Sequence, residues 1–327
     1  MLLLHNTIKI TSKRVTNMKK KGKKLLKTTA LISALILIAP LSYIVGYSIG
    51  LYQNTKATSA DYTSSIETLK IMSFNICSWS FDGKDLETRA EGIAKTIVDN
   101  SIDSIGLQEA TPYWMNMLNA ELSDKYGCVG VGSNTATDYT KSEDNEDEFT
   151  AIFYLKNKFT VIESGWFWLS ETPDTPSYGW GSAYRRICTW VILENKQTKN
   201  RYVHINAHFD NESSEARKNS IKMILKKAKE FSDLPVVFTG DLNFVEQSLG
   251  YKDITSDVLK DTKTSAIKTI DSQTYHGGTP KDFEEYVLDY ILINDKFSAT
   301  NYNVIKKKYK SRYISDHYPV IAEITIK

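Results

Sequence analysis

From Glu67 to Lys327 the chain is written as short apolar runs separated by polar punctuation. Leu69 to Asn75, Ile102 to Leu107, Ala151 to Tyr154, Thr189 to Glu194, Tyr202 to His208, Pro235 to Thr239, Tyr286 to Ile293 and Val320 to Ile326 are all short and rich in β-branched, aliphatic and aromatic side chains. That length and composition predict strands with at least one buried face. Three other stretches repeat their apolar residues at helical spacing: Thr88 to Asp99 with Ile93, Ile97 and Val98, residues 113 to 125, and residues 215 to 231 with a stripe of Ile221, Ile224, Leu225 and Ala228. Many strands and few helices imply sheet packed on sheet with helices outside. No repeat, Pro/Gly/Ser-rich linker or composition break interrupts residues 67 to 327, so they read as one domain of about 260 residues.

The N-terminal portion follows different rules. Thr28 to Thr55 contains no charge, and Ala30 to Leu51 is long and apolar enough for a helix to cross a bilayer core. Six lysines in MKKKGKKLLK precede it, which places the N-terminus inside and the bulk of the chain outside. The expectation is a basic cytoplasmic segment (1 to 29), an anchor (30 to 51), a small polar linker (52 to 66) and an extracellular domain. Met18 is a second candidate start. The alternative is a signal peptide cut near Thr58, Ser59 and Ala60, which would release a secreted protein. Both place the domain outside the cell.

Composition adds limits. With 41% hydrophobic and 24% charged residues the chain is not broadly disordered. Its net +2 hides an asymmetry: ten Lys and Arg and no acid fall within residues 1 to 60, leaving 31 basic against 39 acidic residues beyond. A net-negative domain has no overall pull toward nucleic acid, although a local groove or bound cations would change that. Cys77, Cys128 and Cys188 have neither zinc-site spacing nor disulfide density and read as small buried hydrophobes.

Chemistry concentrates at the ends of the apolar runs, in SFN (73 to 75), LQE (107 to 109), NAHFD (206 to 210), TGDLN (239 to 243) and SDH (315 to 317). Asp289, within the apolar run VLDYILI, adds a carboxylate that is costly to bury unless paired or metal-bound. Singly, each has a plain explanation in turns and caps. Together, in this order from Leu69 to Ile326, they resemble the signature positions of the endonuclease/exonuclease/phosphatase superfamily, the DNase I-like fold. FWLSETPD (167 to 174), GW (179 to 180), RRICTW (185 to 190), EFTAIFY (148 to 154), TYHGG (274 to 278) and RYISDHYPV (312 to 320) resemble a bacterial branch of it whose substrates are poorly defined.

The resemblance implies an α/β (α+β) fold, a four-layer αββα sandwich of two mixed sheets flanked by helices, with the site at one edge. It implies a metal held by Glu109 with Asn75 and Asp316, and these oxygen donors suit Mg²⁺ or Mn²⁺. His208 and His317 would flank the scissile phosphate and donate hydrogen bonds to it. Asp241 would orient and deprotonate the attacking water, Asn243 would hold a phosphate oxygen, and Asp289 would orient His317. Glu148 matches the equivalent position for His208, although it ends an acidic run that also reads as a solvated loop. Arg186 sits where a forked cation would meet phosphate, and an ordinary ion pair explains it nearly as well. His276 is a candidate for the rim and equally a turn residue, whereas His204, two turns of the strand pleat from His208, is assigned to packing.

The implied reaction is in-line attack by water on phosphorus without a covalent intermediate. Three functions stand open: a monomeric surface phosphodiesterase or phosphatase, with nucleic acid among its candidate substrates; a phospholipid or sphingomyelin phosphodiesterase served by GWFWL (165 to 169); and a non-catalytic binding module. Core packing is the plainer reading of Trp166 and Trp168.

Overall fold

The computed structural model describes residues 67–79, 86–278 and 286–327. The expected anchor at 30 to 51, its basic flank and the linker lie outside the described residues. Among the described residues no helix is long and apolar enough to cross a membrane. In chain order the elements are β1 (Glu67–Asn75), α1 (Leu86–Asp99), β2 (Ser104–Gln108), α2 (Pro112–Leu122), β3 (Tyr126–Val129), β4 (Ile152–Leu155), β5 (Phe159–Trp168), β6 (Ile187–Asn195), β7 (Arg201–His208), α3 (Ser214–Glu230), β8 (Val236–Asp241), α4 (Leu249–Thr255), β9 (Lys260–Asp261), α5 (Thr262–Ser265), β10 (Lys268–Ile270), β11 (Asp289–Ile293), β12 (Phe297–Val304) and β13 (Val320–Ile326).

Two mixed sheets result, one in the order β10-β12-β13-β1-β2-β4-β3 and the other β5-β6-β7-β8-β11-β9. Three apolar clusters show how they stack. Met72, Phe74, Ile105 and Leu107 pack against Ile93, Ile97, Trp114 and Leu118 of α1 and α2 on the outer face of the first sheet. Val203, Ile205, Val236 and Phe238 pack against Ile221, Ile224 and Ala228 of α3 on the outer face of the second. Leu69, Ile71, Val237, Ile291, Ala322 and Ile324 fill the space between the sheets. The observed layers are therefore helices, sheet, sheet, helices.

Strand alternation decides what faces inward. If Met72 and Phe74 meet the helices, then Ser73 and Asn75 must face the opposite sheet, and the same logic turns Gln108, Asn206, His208, Thr239, Asp241 and Asp289 inward. Toward these strand ends the sheet interface becomes polar. Gln108 Nε2 donates to Asn206 Oδ1 at 2.8 Å, and Thr239 Oγ1 reaches the same oxygen at 3.0 Å. His204 spans Ser104 Oγ at 2.9 Å and Thr239 Oγ1 at 2.8 Å, which makes it a packing residue of the seam. Burial without a counter-charge holds its pKa down at about 3.

Some boundaries differ from the sequence pattern. The strand expected from Tyr286 begins only at Asp289, because the N–H groups of Leu288 and Asp289 are taken by Thr274 Oγ1 instead of a neighbouring strand. The helix expected over 113 to 125 ends at Leu122. Of the two tryptophans assigned to the core, Trp168 is 2% exposed but Trp166, on edge strand β5, is 44% exposed, so core packing holds for Trp168 alone.

Candidate active site

Register places three of the expected residues in one row. His208 ends β7 opposite Asp241 at the end of β8, and Asp241 pairs with Asp289 at the start of β11. Because paired positions share a face, all three side chains turn toward the first sheet, where Asn75 lies beside Gln108 at the ends of β1 and β2. His317, in the loop before β13, completes the row from the other side.

The contacts form an alternating series of acids and bases. Glu148 Oε1 lies 2.6 Å from His208 Nδ1, His208 Nε2 lies 3.6 Å from Asp241 Oδ2, Asp241 Oδ2 lies 3.7 Å from His317 Nε2, and His317 Nδ1 lies 2.8 Å from Asp289 Oδ2. A carboxylate only accepts, so each Nδ1 carries a hydrogen and each Nε2 faces the space above Asp241. Burial would lower the pKa of both histidines. For His317 the charges of Asp289, Asp241 and Asp316 overrule burial and raise it to about 10. For His208 burial and the nearby Arg186 both oppose the proton, yet Glu148 and Asp241 raise its pKa. Burial would push the Glu148 carboxyl up, but His208 and Arg186 hold it down at about 2.

Arg186 is buried, donating from Nη1 to Glu148 Oε2 at 2.9 Å, with its Nε 3.8 Å from Asp210 and its guanidinium 5.0 Å from the Tyr184 ring. Arg186 Nη1 also stands 2.8 Å from His208 Nδ1, but that nitrogen is already committed to the shorter contact with Glu148. Asn243 has a left-handed backbone (φ 49°) stabilised by its N–H donating to Asp241 Oδ1 at 3.0 Å. Its amide donates to Phe209 O at 2.9 Å and comes within 3.1 Å of His208 Nε2.

Across the cavity, Glu109 follows β2 with φ 62°, a conformation that costs a β-carbon residue about 1–2 kcal/mol. Its Oε1 accepts from Asn75 Nδ2 and its Oε2 from Ser78 N–H, each at 2.9 Å. Asn75 Nδ2 also donates to Asp241 Oδ2 at 2.9 Å, so one buried amide ties Glu109 to the acid and base series. The Asn75 oxygen accepts from Cys77 N–H. Asp316 is held by its carbonyl, which accepts from His276 N–H at 2.9 Å and Gly277 N–H at 3.2 Å. Its carboxylate and that of Glu109 both act on the Cys77 thiol, whose pKa burial, first of all, drives up.

These groups line a cavity of about 720 Å³ whose walls include Glu109, Glu148, Arg186, His208, Asp241, Asn243, Asp316 and His317. Asn75 and Asp289 are fully buried beneath it. His276 does not reach the rim. It is fully buried between Tyr313 and Tyr318, with ring centroids at 4.5 and 4.2 Å, and its neighbour Tyr275 lines the cavity instead. The reason is the single β-bridge that pairs Tyr275 with His317, which turns the next side chain away. Burial keeps the His276 pKa down at about 4.

Other contributors were not among the expected site residues. Asp210, the last residue of NAHFD, is 1% exposed and accepts from the N–H groups of Ala183, Tyr184, Glu212 and Ser213, fixing the loop that presents Tyr184 and the start of α3. Its period-two relation to His208 was the available signal. Ser78 and Arg217 also line the cavity with nothing in their sequence surroundings to mark them, and Tyr275 does so from within TYHGG, where His276 was the expected residue.

The sequence model of the endonuclease/exonuclease/phosphatase family matches residues 72–317. The chain belongs to the endonuclease/exonuclease/phosphatase family. As a member it is a hydrolase acting on phosphate esters, in a family typically dependent on divalent metal. A solved endonuclease/exonuclease/phosphatase family protein from Bacteroides thetaiotaomicron is 29% identical, with a TM-score of 0.74 over 80% of this chain and 99% of that one. A mannosyl-6-phosphatase from Bacteroides thetaiotaomicron VPI-5482 is 30% identical, with a TM-score of 0.73 over 78% of this chain and 99% of its own. An uncharacterized protein of Acanthamoeba polyphaga mimivirus is 27% identical over 186 residues, which are 52% of this chain and 68% of that protein. The two-sheet architecture with flanking helices is thus the DNase I-like sandwich of the family.

The oxygen-rich wall suits the metal such a family uses. Among the described residues no Lys, Arg or His forms an ion pair with Glu109 or Asp316, so these two carboxylates face one cavity with no direct ion-pair partner, a setting for a hard divalent ion. A second group, Asp241, Asp289 and His317, also brings ligand atoms within 4.8 Å of one another. There, however, His317 Nδ1 is spent on Asp289 and the imidazole itself supplies the compensating charge, so the ion pair explains the closeness without a metal.

Proposed function

We propose that this chain is a surface-held, Mg²⁺- or Mn²⁺-dependent phosphatase that removes phosphate from a hydroxyl of a neutral, carbohydrate-like leaving group. The observation that carries the reaction is the series Glu148, His208, Asp241, His317, Asp289 facing the carboxylates Glu109 and Asp316, neither of which has an ion-pair partner among the described residues. The substrate side rests on two supports. The cavity walls hold four carboxylates against the cations Arg186, Arg217 and the protonated His317, which leaves no basic excess to track a polyanion but accommodates one phosphate once a cation is bound. The mannosyl-6-phosphatase covered over 99% of its length adds the sugar.

In this reading Glu109, Asp316 and, through its amide, Asn75 hold the ion, which neutralises phosphate oxygens when bound. Asp241 accepts a proton from the attacking water as oxygen bonds to phosphorus in line with the leaving oxygen. His208 and His317 donate through Nε2 to the phosphate oxygens as charge builds, their rings fixed by Glu148 and Asp289. Asn243 and Arg186 orient the phosphate. The leaving oxygen takes up a proton, so water and ester become alcohol and phosphate. The apolar segment 30 to 51 with its lysine flank supports display at the outer face of a membrane, with secretion after cleavage as the other outcome.

The test is parallel turnover of mannose 6-phosphate, a chromogenic phosphodiester, plasmid DNA and sphingomyelin with Mg²⁺, Mn²⁺ or chelator. The expected result is metal-dependent release from the sugar phosphate, reduced by about 10³-fold or more in Asp241→Asn and Glu109→Gln. Turnover of lipid or DNA alone would overturn the substrate assignment, and wild-type rates in Asp241→Asn would overturn the mechanism.

A further inference from the structure

The segment Ile76 to Trp79, which runs from β1 into the cavity wall, is gripped from behind by a side chain that does not itself line the cavity. Arg89 of α1 is 5% exposed and lies over the Trp114 ring of α2, 4.6 Å from its centroid. Its Nη2 donates to the carbonyls of Ile76 and, at 2.7 Å, of Cys77; its Nη1 donates to Trp79 O at 2.9 Å and its Nε to Ile314 O at 2.9 Å. Trp114 Nε1 takes the remaining carbonyl of the segment, Ser78 O, at 2.9 Å. All four carbonyls from residue 76 to residue 79 are thereby drawn to one side.

A trans peptide unit is planar, and its C=O and N–H point in opposite directions. Pulling Ile76 O toward Arg89 therefore aims Cys77 N–H the other way, where it meets Asn75 Oδ1 at 3.0 Å. Pulling Cys77 O toward Arg89 aims Ser78 N–H at Glu109 Oε2, at 2.9 Å. The left-handed φ of 60° at Cys77 lets two successive peptide units present their N–H groups to the same wall. A guanidinium on the carbonyl side also polarises each unit and strengthens its N–H as a donor.

We propose that Arg89 is a positioning residue for the metal centre: through the peptide units 76–77 and 77–78 it sets the orientation of Asn75 and Glu109, with Trp114 completing the grip. This rests on the reading of Glu109 and Asn75 as metal-holding residues. Arginine is required because four carbonyls in a fan need a planar fork of donors, which a lysine ammonium cannot match.

The full chain is titrated with Mn²⁺ alone by calorimetry, at a temperature well below unfolding, for wild type, Arg89→Met, Arg89→Lys and Trp114→Phe. Turnover is measured in parallel as a function of metal concentration. Arg89→Met is expected to bind Mn²⁺ about 10- to 100-fold more weakly, the scale for removing a group that orients a ligand. Arg89→Lys should fall between it and wild type, and turnover at saturating metal should be largely restored. Trp114→Phe, which removes the bond to Ser78 O and shrinks the ring beneath Arg89 but leaves Arg89's own bonds in place, should weaken binding by a smaller factor and provides the readout if Arg89→Met does not fold. Wild-type Mn²⁺ affinity in folded variants, whatever their melting temperature, overturns the inference alone. A wild-type chain that takes up no Mn²⁺ overturns the metal-centre reading and the inference together.

Discussion

Burial alone would strip the proton from His317, yet Asp289 at 2.8 Å, with Asp241 and Asp316 beyond it, raises its pKa to about 10. In the unfolded chain an ordinary histidine titrates near 6.5. The pair's contribution to stability is therefore complete below about pH 6.5 and disappears as the pH rises through 10. Glu148 behaves oppositely: held at about 2, it stabilises above the usual carboxylate range and loses that effect only as the pH falls toward 2. In chelator, the stability of the wild type should fall between pH 7 and pH 10 by an amount on the order of a few kcal/mol, read as a falling melting temperature. Asp289→Asn should start less stable and show a flatter curve over the same interval. Parallel curves for the two proteins would show that Asp289 is not what holds the proton on His317. Residues of this kind were readable from sequence because their order and spacing form a pattern. Arg89 was not, since its partners are carbonyls supplied by folding, and a lone Arg in a helix carries no sign of them.

At the scale of elements, the approach of the two sheets beneath the site depends on one missing side chain. A β-carbon on Gly106 of β2 would stand 2.1 Å from Thr239 Oγ1 and 2.4 Å from Asn206 Oδ1, and those two groups also carry the seam that leads to Asp241 and His208. Neither neighbour is free to withdraw: Asn206 donates to Leu107 O at 2.8 Å, and Thr239 is bound by His204. Gly106→Ala should therefore cost about 1–3 kcal/mol, in the range of overpacked cores, and Gly106→Val more. Urea unfolding measures both, and a cost within a few tenths of a kcal/mol for Gly106→Val would show that the sheets are not held this close. The same layer explains which elements the sequence pattern reveals. Strands buried on both faces, such as β7, β8 and β11, appear as continuous apolar runs. The pattern does not mark β5, an edge strand with Glu163 and Ser164 exposed, or β12, which carries Asn301 and Asn303, because their polar faces break the apolar run that identifies a buried strand.

For the molecule as a whole, the distribution of charge links stability to its ligand. Beyond residue 60 acids outnumber bases by 39 to 31, and part of that excess is concentrated in the cavity as Glu109 and Asp316. Like charges confined together oppose the compact state unless something neutralises them. The folded chain bears that cost because the strands and loops around the site are fixed by contacts elsewhere: Ser315 Oγ on Asn75 O at 2.7 Å, and the backbone of His276 and Gly277 on Asp316 O. A cation that binds the folded site and not the unfolded chain must then add stability by mass action, about 2.7 kcal/mol at a hundredfold excess over its dissociation constant. For a domain of this size that corresponds to a rise of roughly 5–10 °C in melting temperature. Scanning calorimetry of the chain with chelator and then with increasing Mg²⁺ or Mn²⁺ should show this rise. Glu109→Gln should remove most of it while raising the metal-free melting temperature, since one of the two confined charges is gone. A melting temperature in that variant that still climbs with metal as the wild type does would place the cation elsewhere, at Asp241, Asp289 and His317, and an Asp289→Asn protein titrated the same way would then lose the effect instead.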